Sequence, residues 1–250
     1  MKKIKLAFLV LKKLKNWPLY FWDYFKLIKN TEITYVFNDG LKVKLRAGTS
    51  DRNVVNDVLL QNFYTPKGFE IKSGDMVIDI GAHIGTFSLF AARFAKRIYA
   101  FEPLVSNFNI LKENIKINGF HNIEAYNFAV ADKSGTRDLF VVQGNMAANS
   151  LYLETEFKTK VETISLDDIV KRNNIFQIDY LKLDCEGAEY DILMKCSPDV
   201  LVKIQKIGME CHDIDKNRNL GSIKEFLEKK GFKVEIAPWH HKMVYAHREV

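Results

Sequence analysis

Cysteine is scarce: Cys185, Cys196 and Cys211 are the three in 250 residues. Their odd number and the lack of any C-x-x-C spacing exclude a self-contained disulfide framework and a cysteine zinc site, and fit a reducing, intracellular setting. Long apolar runs are missing too. Within Met1–Lys15 the longest uninterrupted one is Leu6–Leu11, too short for a transmembrane helix and without the small-residue site at which an export signal is cut. Acids are nearly absent from the first thirty residues, where eight lysines stand against Asp23 alone. That segment carries +7 and, against +6 for the whole chain, the other 220 residues carry −1. A basic nucleic-acid surface over the remainder is thereby disfavoured, and no nucleic-acid partner is expected. What is present, 47% hydrophobic residues over this length, is enough for one sizeable core with a small appendage.

The most informative stretch is Met76–Glu102, MVIDIGAHIGTFSLFAARFAKRIYAFE. An apolar run to Ile80 predicts a strand, Gly81–Gly85 a tight turn, and Phe87, Phe90, Ala91, Phe94 and Ala95 the inner face of a helix. A second apolar run, Ile98–Phe101, ends on Glu102, 21 residues past Gly81. Glycines at 81 and 85 allow a sharp turn and close approach of a ligand, and the following helix aims unpaired N–H groups at the same crevice. An acid about 20 residues on suits both hydroxyls of a ribose. A dinucleotide fingerprint, G-x-G-x-x-G, needs a middle glycine. His83 stands there instead, so a nucleoside without a pyrophosphate fits better.

Ahead of this unit, Ile4, Phe8, Leu11 and Leu14 fall on one face of a basic helix, followed by Trp17, Tyr20, Phe21, Trp22, Tyr24 and Phe25. Two placements stay open. The helix caps the core with its lysines in water, or residues 1–30 lie against an anionic membrane surface. On either placement the cofactor site is expected to survive removal of Met1–Lys15. Ile33–Phe37 and Leu41–Leu45 alternate around Asn38-Asp39-Gly40, a hairpin signal. Val54, Val55, Val58 and Leu59 form a helical face ending near Tyr64, an elaboration expected to roof the crevice.

Beyond Glu102-Pro103, Phe108, Leu111 and Ile115 mark a crossover helix with Asn118-Gly119 as its cap, and Ile123–Phe128 a third strand. Asn127 and Ala129 can frame an adenine edge there, or belong to a plain turn. Thr136–Val142 and Lys158–Ile164 read as extended around the polar loop Gln143–Ser150, placed to touch substrate. Ser165 is a candidate N-cap for a short helix at Leu166–Val170.

Tyr180–Tyr190, YLKLDCEGAEY, puts Asp184, Glu186 and Glu189 within six residues at a strand tip. They repel one another, so they call for a cation, a substrate network or a raised proton affinity, or for the N-terminal dipole of the next helix. Further on, Glu210 and His212 share one face of the strand Ile204–His212, expected to lie beside the one ending at Asp184. Ser222–Lys230 reads as the last helix, and Lys233–Ile236 with Met243–His247 as a closing hairpin with His240 and His241 solvated at its turn.

The D-I-G-A-x-I-G run at Asp79–Gly85 and the acid Glu102 resemble the first two motifs of class I S-adenosylmethionine-dependent methyltransferases. F-E-P at Phe101–Pro103, A-V-x-D-x-x-G at Ala129–Gly135, L-D-D at Leu166–Asp168 and D-x-E-G-x-E at Asp184–Glu189 narrow the resemblance to the FkbM family, over roughly residues 45–215. The resemblance implies a Rossmann-like α/β domain with a mostly parallel seven-stranded sheet, placed here at residues 56–250; the basic helix and hairpin read from the residues themselves form a cap at 1–55, outside most of the matched motifs. It implies S-adenosylmethionine held by Asp79, Gly81, Ala82, His83, Gly85, Thr86, Glu102, Pro103, Asn127, Ala129 and Asp184. It also implies O-methylation of a saccharide or other small hydroxylated acceptor in the cytoplasm. Asp184 is the first candidate base, with Glu186, Glu210 and His212 beside it, and a magnesium or manganese ion among them stays open. The alternatives are an RNA methyltransferase and, less favoured by the missing middle glycine, an NAD-dependent oxidoreductase.

Overall fold

The computed structural model describes residues 2–141, 150–151, 157–237 and 242–248. The chain opens with two helices, α1 (Lys2–Lys13) and α2 (Trp17–Tyr24), then a hairpin of β1 (Glu32–Val36) and β2 (Lys42–Arg46), then α3 (Asp51–Val55), which runs on as a π turn over Asn56–Leu60. The hairpin turn is the one expected from Asn38-Asp39-Gly40: Gly40 takes the left-handed φ of 91° and the Asp39 carboxylate accepts the Leu41 N–H at 3.1 Å.

The βαβ unit follows as β3 (Met76–Ile80), α4 (Thr86–Ala91) and β4 (Arg97–Phe101), and then α5 (Val105–Asn118) and β5 (Ile123–Tyr126). Gly119, at φ 66°, caps α5 as expected. Next come β6 (Ala129–Ala131), β7 (Gly135–Val141), β8 (Phe157–Ser165), α6 (Leu166–Arg172), β9 (Tyr180–Leu183), α7 (Glu189–Lys195), α8 (Pro198–Leu201), β10 (Lys206–Glu210), α9 (Leu220–Lys229), β11 (Lys233–Ala237) and β12 (Met243–His247). Ser165 does cap α6, its Oγ accepting the Asp168 N–H at 3.1 Å.

The main sheet has seven strands in the order β11-β12-β10-β9-β3-β4-β5. Strands β10, β9, β3, β4 and β5 are parallel, and β12 runs antiparallel between β10 and β11. The tips of β3, β4 and β9 therefore open on one edge, beside the point where the order reverses, where open α/β sheets form their crevice. Segment Ala129–Ala131, read above as part of a turn, is a strand: β6 pairs with β8, and β8 with β7, in a separate three-stranded sheet. Residues 143–149 of the expected substrate loop, and His240 and His241, lie outside the described residues.

Val10 and Leu14 are buried, Leu6 and Leu9 pack against the same cluster, and the Lys13 ammonium donates to the carbonyls of Leu59 and Leu60 at 2.7 and 3.3 Å. Of the four residues read as one face, Ile4, Phe8 and Leu11 point to solvent and Leu14 is buried. That cluster continues without a break from Val10 and Tyr35 through Leu59 and Tyr64 to Val77, Phe87 and Tyr180. Burying a side chain the size of Val10 or Leu14 contributes about 2 kcal/mol, so deleting Met1–Lys15 removes part of this cluster.

Candidate active site

Both glycines of the first turn are demanded by packing. Gly81, at φ 74°, lies where a Cβ would run into the Asp184 carbonyl, and Gly85, at φ 87°, where one would meet the Leu111 side chain. The turn from β3 and the tip of β9 thus touch, and one crevice spans both, lined by Gly81, Ala82, His83, Glu102 and Pro103 at one end and by Tyr64, Lys182, Asp184 and Glu186 at the other. Its empty volume, open mouth included, is about 780 Å³.

At the first end Glu102 is buried. One carboxylate oxygen accepts the His83 N–H at 2.9 Å, the other the Leu104 N–H at 2.9 Å and the Asn107 amide at 3.3 Å. Burial pushes its carboxyl up to about 7 against those hydrogen bonds, which favour the anion. His83 takes a left-handed φ of 53° and is buried, which drives its imidazole down to about 4 and leaves it neutral. Its Nε2 lies 3.4 Å from the Asp51 carboxylate, which also receives the Arg46 guanidinium at 2.8 Å. Arg46 in turn donates to Asn107 at 2.7 Å, so β2 and α3 are tied to the glycine turn after β3.

At the second end Asp184 sits just past β9. It accepts the Tyr64 hydroxyl at 2.7 Å and lies 3.8 Å from the Lys182 ammonium. Burial acts to raise its carboxyl, but Lys182, His212 and Tyr64 outweigh it and hold Asp184 below the ordinary range. Lys182 is buried, within 3.2 Å of Asp79, and donates to the Gly81 carbonyl at 2.7 Å. Burial opposes its charge, but Asp79 and Asp184 keep it protonated.

Glu189, fully buried, accepts the backbone N–H groups of Cys185 and Gly187 at 2.9 and 2.8 Å and faces His212 Nδ1 at 3.2 Å. The other ring nitrogen of His212 lies 3.4 Å from Glu186 and 3.8 Å from Glu210. Burial alone would discharge that ring. Glu189 and Glu186 overcome it and raise it to about 10, so His212 is the imidazolium of the cluster and not a base at neutral pH. Burial and the charge of Asp184 raise Glu210 to about 8 and Asp57 to about 7. Burial raises Glu186 to about 7, with Asp184 and Glu189 adding to the rise and His212 opposing it.

The expected residues divide accordingly. Gly81, Ala82, His83, Glu102, Pro103, Ala129, Asp184 and Glu186 line the crevice. Glu210 and His212 stand behind Asp184, one ligating atom of each of the three lying within 4.8 Å of the others. Asp79 is buried under the turn between Lys182 and the Ser88 hydroxyl, which donates at 2.6 Å. Asn127 spends its amide on the carbonyls of Glu102 and Pro103, both at 2.8 Å. Gly85 and Thr86 shape the start of α4. Asp79, Asn127, Gly85 and Thr86 are not among the residues lining the crevice and act on it from beneath. Sequence reasoning missed Tyr64, Asp57 and Lys182. A lysine in the apolar run YLKL was the one available signal.

Residues 79–234 match the Methyltransferase FkbM domain. The chain belongs to this family. It is a methyltransferase, and its sheet has the class I order; membership implies S-adenosylmethionine as methyl donor. The chain is 27% identical over 216 residues to the 31-O-demethyl-FK506 methyltransferase FkbM of Streptomyces tacrolimicus, 71% of this chain and 80% of that one. It is 27% identical over 144 residues to the hexuronic acid methyltransferase AglP of Haloferax volcanii, 57% of this chain and 58% of that one. The match to the AMB antimetabolite synthetase AmbE of Pseudomonas aeruginosa, 26% identical, covers 73% of this chain but 11% of that one. The solved methyltransferase FkbM of Methylobacillus flagellatus is alike in fold, with a TM-score of 0.54 at 14% identity over 74% of this chain and 46% of that one. This chain thus spans under two thirds of three of those four proteins.

Proposed function

We propose that the enzyme transfers a methyl group from S-adenosylmethionine to a hydroxyl oxygen of a saccharide or other small hydroxylated acceptor. The observation that carries this reading is one crevice with a nucleoside cradle at one end and the ionised Asp184, beside Tyr64 and Glu186, at the other. The cradle suits the donor: Gly81 brings the turn against the tip of β9, and the buried Nδ1 of His83 has no hydrogen-bond partner among the described residues. Glu102 would take the ribose hydroxyls. The names of two relatives, one acting on 31-O-demethyl-FK506 and one on a hexuronic acid, support an oxygen on a small molecule or glycan. Three free thiols accord with a cytoplasmic setting.

Bound there, the donor supplies an electrophilic methyl on a sulfonium, and the chain's work is to hold the acceptor oxygen in line and take its proton. Asp184, fixed by Tyr64 and kept ionised by Lys182, orients the acceptor O–H. Glu186 and Glu210, at about 7 and about 8, match neutral pH as the place where the proton comes to rest. His212 balances the acids as a fixed cation.

The test is methylation with labelled donor over a panel of hexuronic acid glycosides, polyols and transfer RNA. Label stable to mild alkali on a sugar or polyol is expected. Label on RNA alone, or an alkali-labile ester, would overturn the hydroxyl acceptor. A chelator is expected to leave the rate unchanged. Loss of activity restored by magnesium or manganese would instead place an ion between Asp184, Glu210 and His212, with the imidazolium giving up its proton.

A further inference from the structure

Methyl transfer leaves the outer side of α1 and α2 without a task. Ile4, Phe8 and Leu11 on α1 are 77, 64 and 49% exposed, Trp22 on α2 is 52% exposed, and Phe25 and Leu27 just after it are 65 and 70% exposed. Ile4, Phe8 and Leu11 recur at helical spacing, so they form one stripe. The inner side of the same helix is already packed through Val10 and Leu14, so the stripe is a second apolar face.

Within residues 1–30 the exposed charge has one sign, and the exposed acid Asp39, on the turn after β1, is paired with Arg93. Lys3, Lys5, Lys12, Lys15, Lys26 and Lys29 are exposed. The segment's single acid, Asp23, is fully buried, where its carboxylate accepts the Tyr35 hydroxyl and the Gly48 N–H, both at 2.6 Å, and lies 3.4 Å from Arg52. Folding therefore removes the one anion from the surface of residues 1–30 and leaves the cations around exposed aliphatic and aromatic side chains.

We propose that this face docks on an anionic lipid bilayer, with α1 lying in the plane of the interface. Ile4, Phe8 and Leu11 enter the upper acyl region, the lysines reach the phosphates, and Trp17 and Trp22 sit at headgroup level, where indoles are favoured. At 12 residues, α1 is about 18 Å long against a hydrocarbon core of about 30 Å, and no described helix is long and apolar enough to cross a membrane. A second copy of the chain is the poorer occupant, because self-association would oppose two lysine-rich faces.

The experiment is co-sedimentation of the full chain with vesicles of phosphatidylcholine alone, or with about a third phosphatidylglycerol, at a Debye length near 10 Å and again at high salt. Binding at least ~10-fold stronger to the anionic vesicles, and weakened by salt, is expected. Two variants are compared, Ile4→Ser/Phe8→Ser/Leu11→Ser and Lys3→Gln/Lys5→Gln/Lys12→Gln/Lys15→Gln. Each changes only exposed side chains, so thermal melting and S-adenosylhomocysteine binding should match the wild type. The lysine variant should lose affinity for anionic vesicles by about 600-fold, at about fivefold for each of the four charges, and the serine variant should lose it even where charge attraction remains. Should either variant unfold, the other carries the test. Equal binding to both vesicle types, binding to neither, or full binding by a folded variant would overturn the proposal. So would a wild-type dimer that the serine variant converts to monomer without any vesicle binding.

Discussion

At the nucleoside end of the crevice, Gly81, Ala82, His83, Glu102 and Pro103 come from one uninterrupted βαβ unit. The acid end draws Tyr64 from the segment before that unit, Lys182, Asp184 and Glu186 from the tip of β9, and Glu210 and His212 from the tip of β10. The first end holds one buried carboxylate fed by N–H donors. The second gathers several carboxylates around two cations, Lys182 and His212. A ligand-binding turn can be written locally, whereas a charge-balanced cluster needs partners that only folding brings together. The two ends should therefore fail differently when altered.

The largest effect is expected at Lys182. Lys182→Met keeps the length of the side chain and leaves Asp79 buried without its cation, which costs about 3–5 kcal/mol when one member of a buried pair is removed. Urea unfolding measures this, and a loss below ~1 kcal/mol would show that the pair is not holding the floor of the crevice. Next comes Asp184→Asn, which preserves shape and the Tyr64 contact but removes the charge. Methylation should fall by at least ~100-fold while S-adenosylhomocysteine binds within a few-fold of normal. A normal rate would make the acid cluster structural. The opposite split is expected at the other end: Glu102→Ala should weaken S-adenosylhomocysteine by about 2 kcal/mol. Calorimetry reads it directly, and unchanged affinity in a folded variant would remove Glu102 from the ribose.

This contrast also explains what could be read before folding. The strand–turn–helix order, the capping residues Ser165 and Gly119 and the hairpin turn at Asp39-Gly40 are local signals and are in place, although α4 stops at Ala91 and Phe94, read as part of its inner face, is exposed. Tyr64 and Asp184 are 120 residues apart, and no local pattern announces their hydrogen bond. Which side of α1 faces inward was open for a related reason: two apolar stripes fit its helical period, and the one carrying Val10 and Leu14 packs against residues such as Tyr35 and Leu59 from later segments. Asp79 and Asn127 were legible as important, but their partners proved to be protein groups, Lys182 and the carbonyls after β4.

The last prediction separates the two ends by pH. His212 has a folded-state pKa of about 10, above its ordinary 6.5, so the stability it contributes is fully present below 6.5 and is lost as pH rises through about 10. His83, at the nucleoside end, is shifted the other way, to about 4. It binds fewer protons folded than unfolded, so its contribution is whole above its ordinary value and fades as pH falls towards 4. Of the two histidines, only His212 should then titrate between pH 7 and 10, a window in which its neighbour Glu210, at about 8, ionises as well. The stability difference between wild type and His212→Gln should shrink across that window, with a slope of at most about 1.4 kcal/mol per pH unit. The difference for His83→Gln should stay flat there. Urea midpoints of both variants across the window give the measurement. A pH-independent gap for His212→Gln would mean that the imidazole is neutral in the cluster, and that Glu186, Glu189 and Glu210 are balanced by something other than its charge.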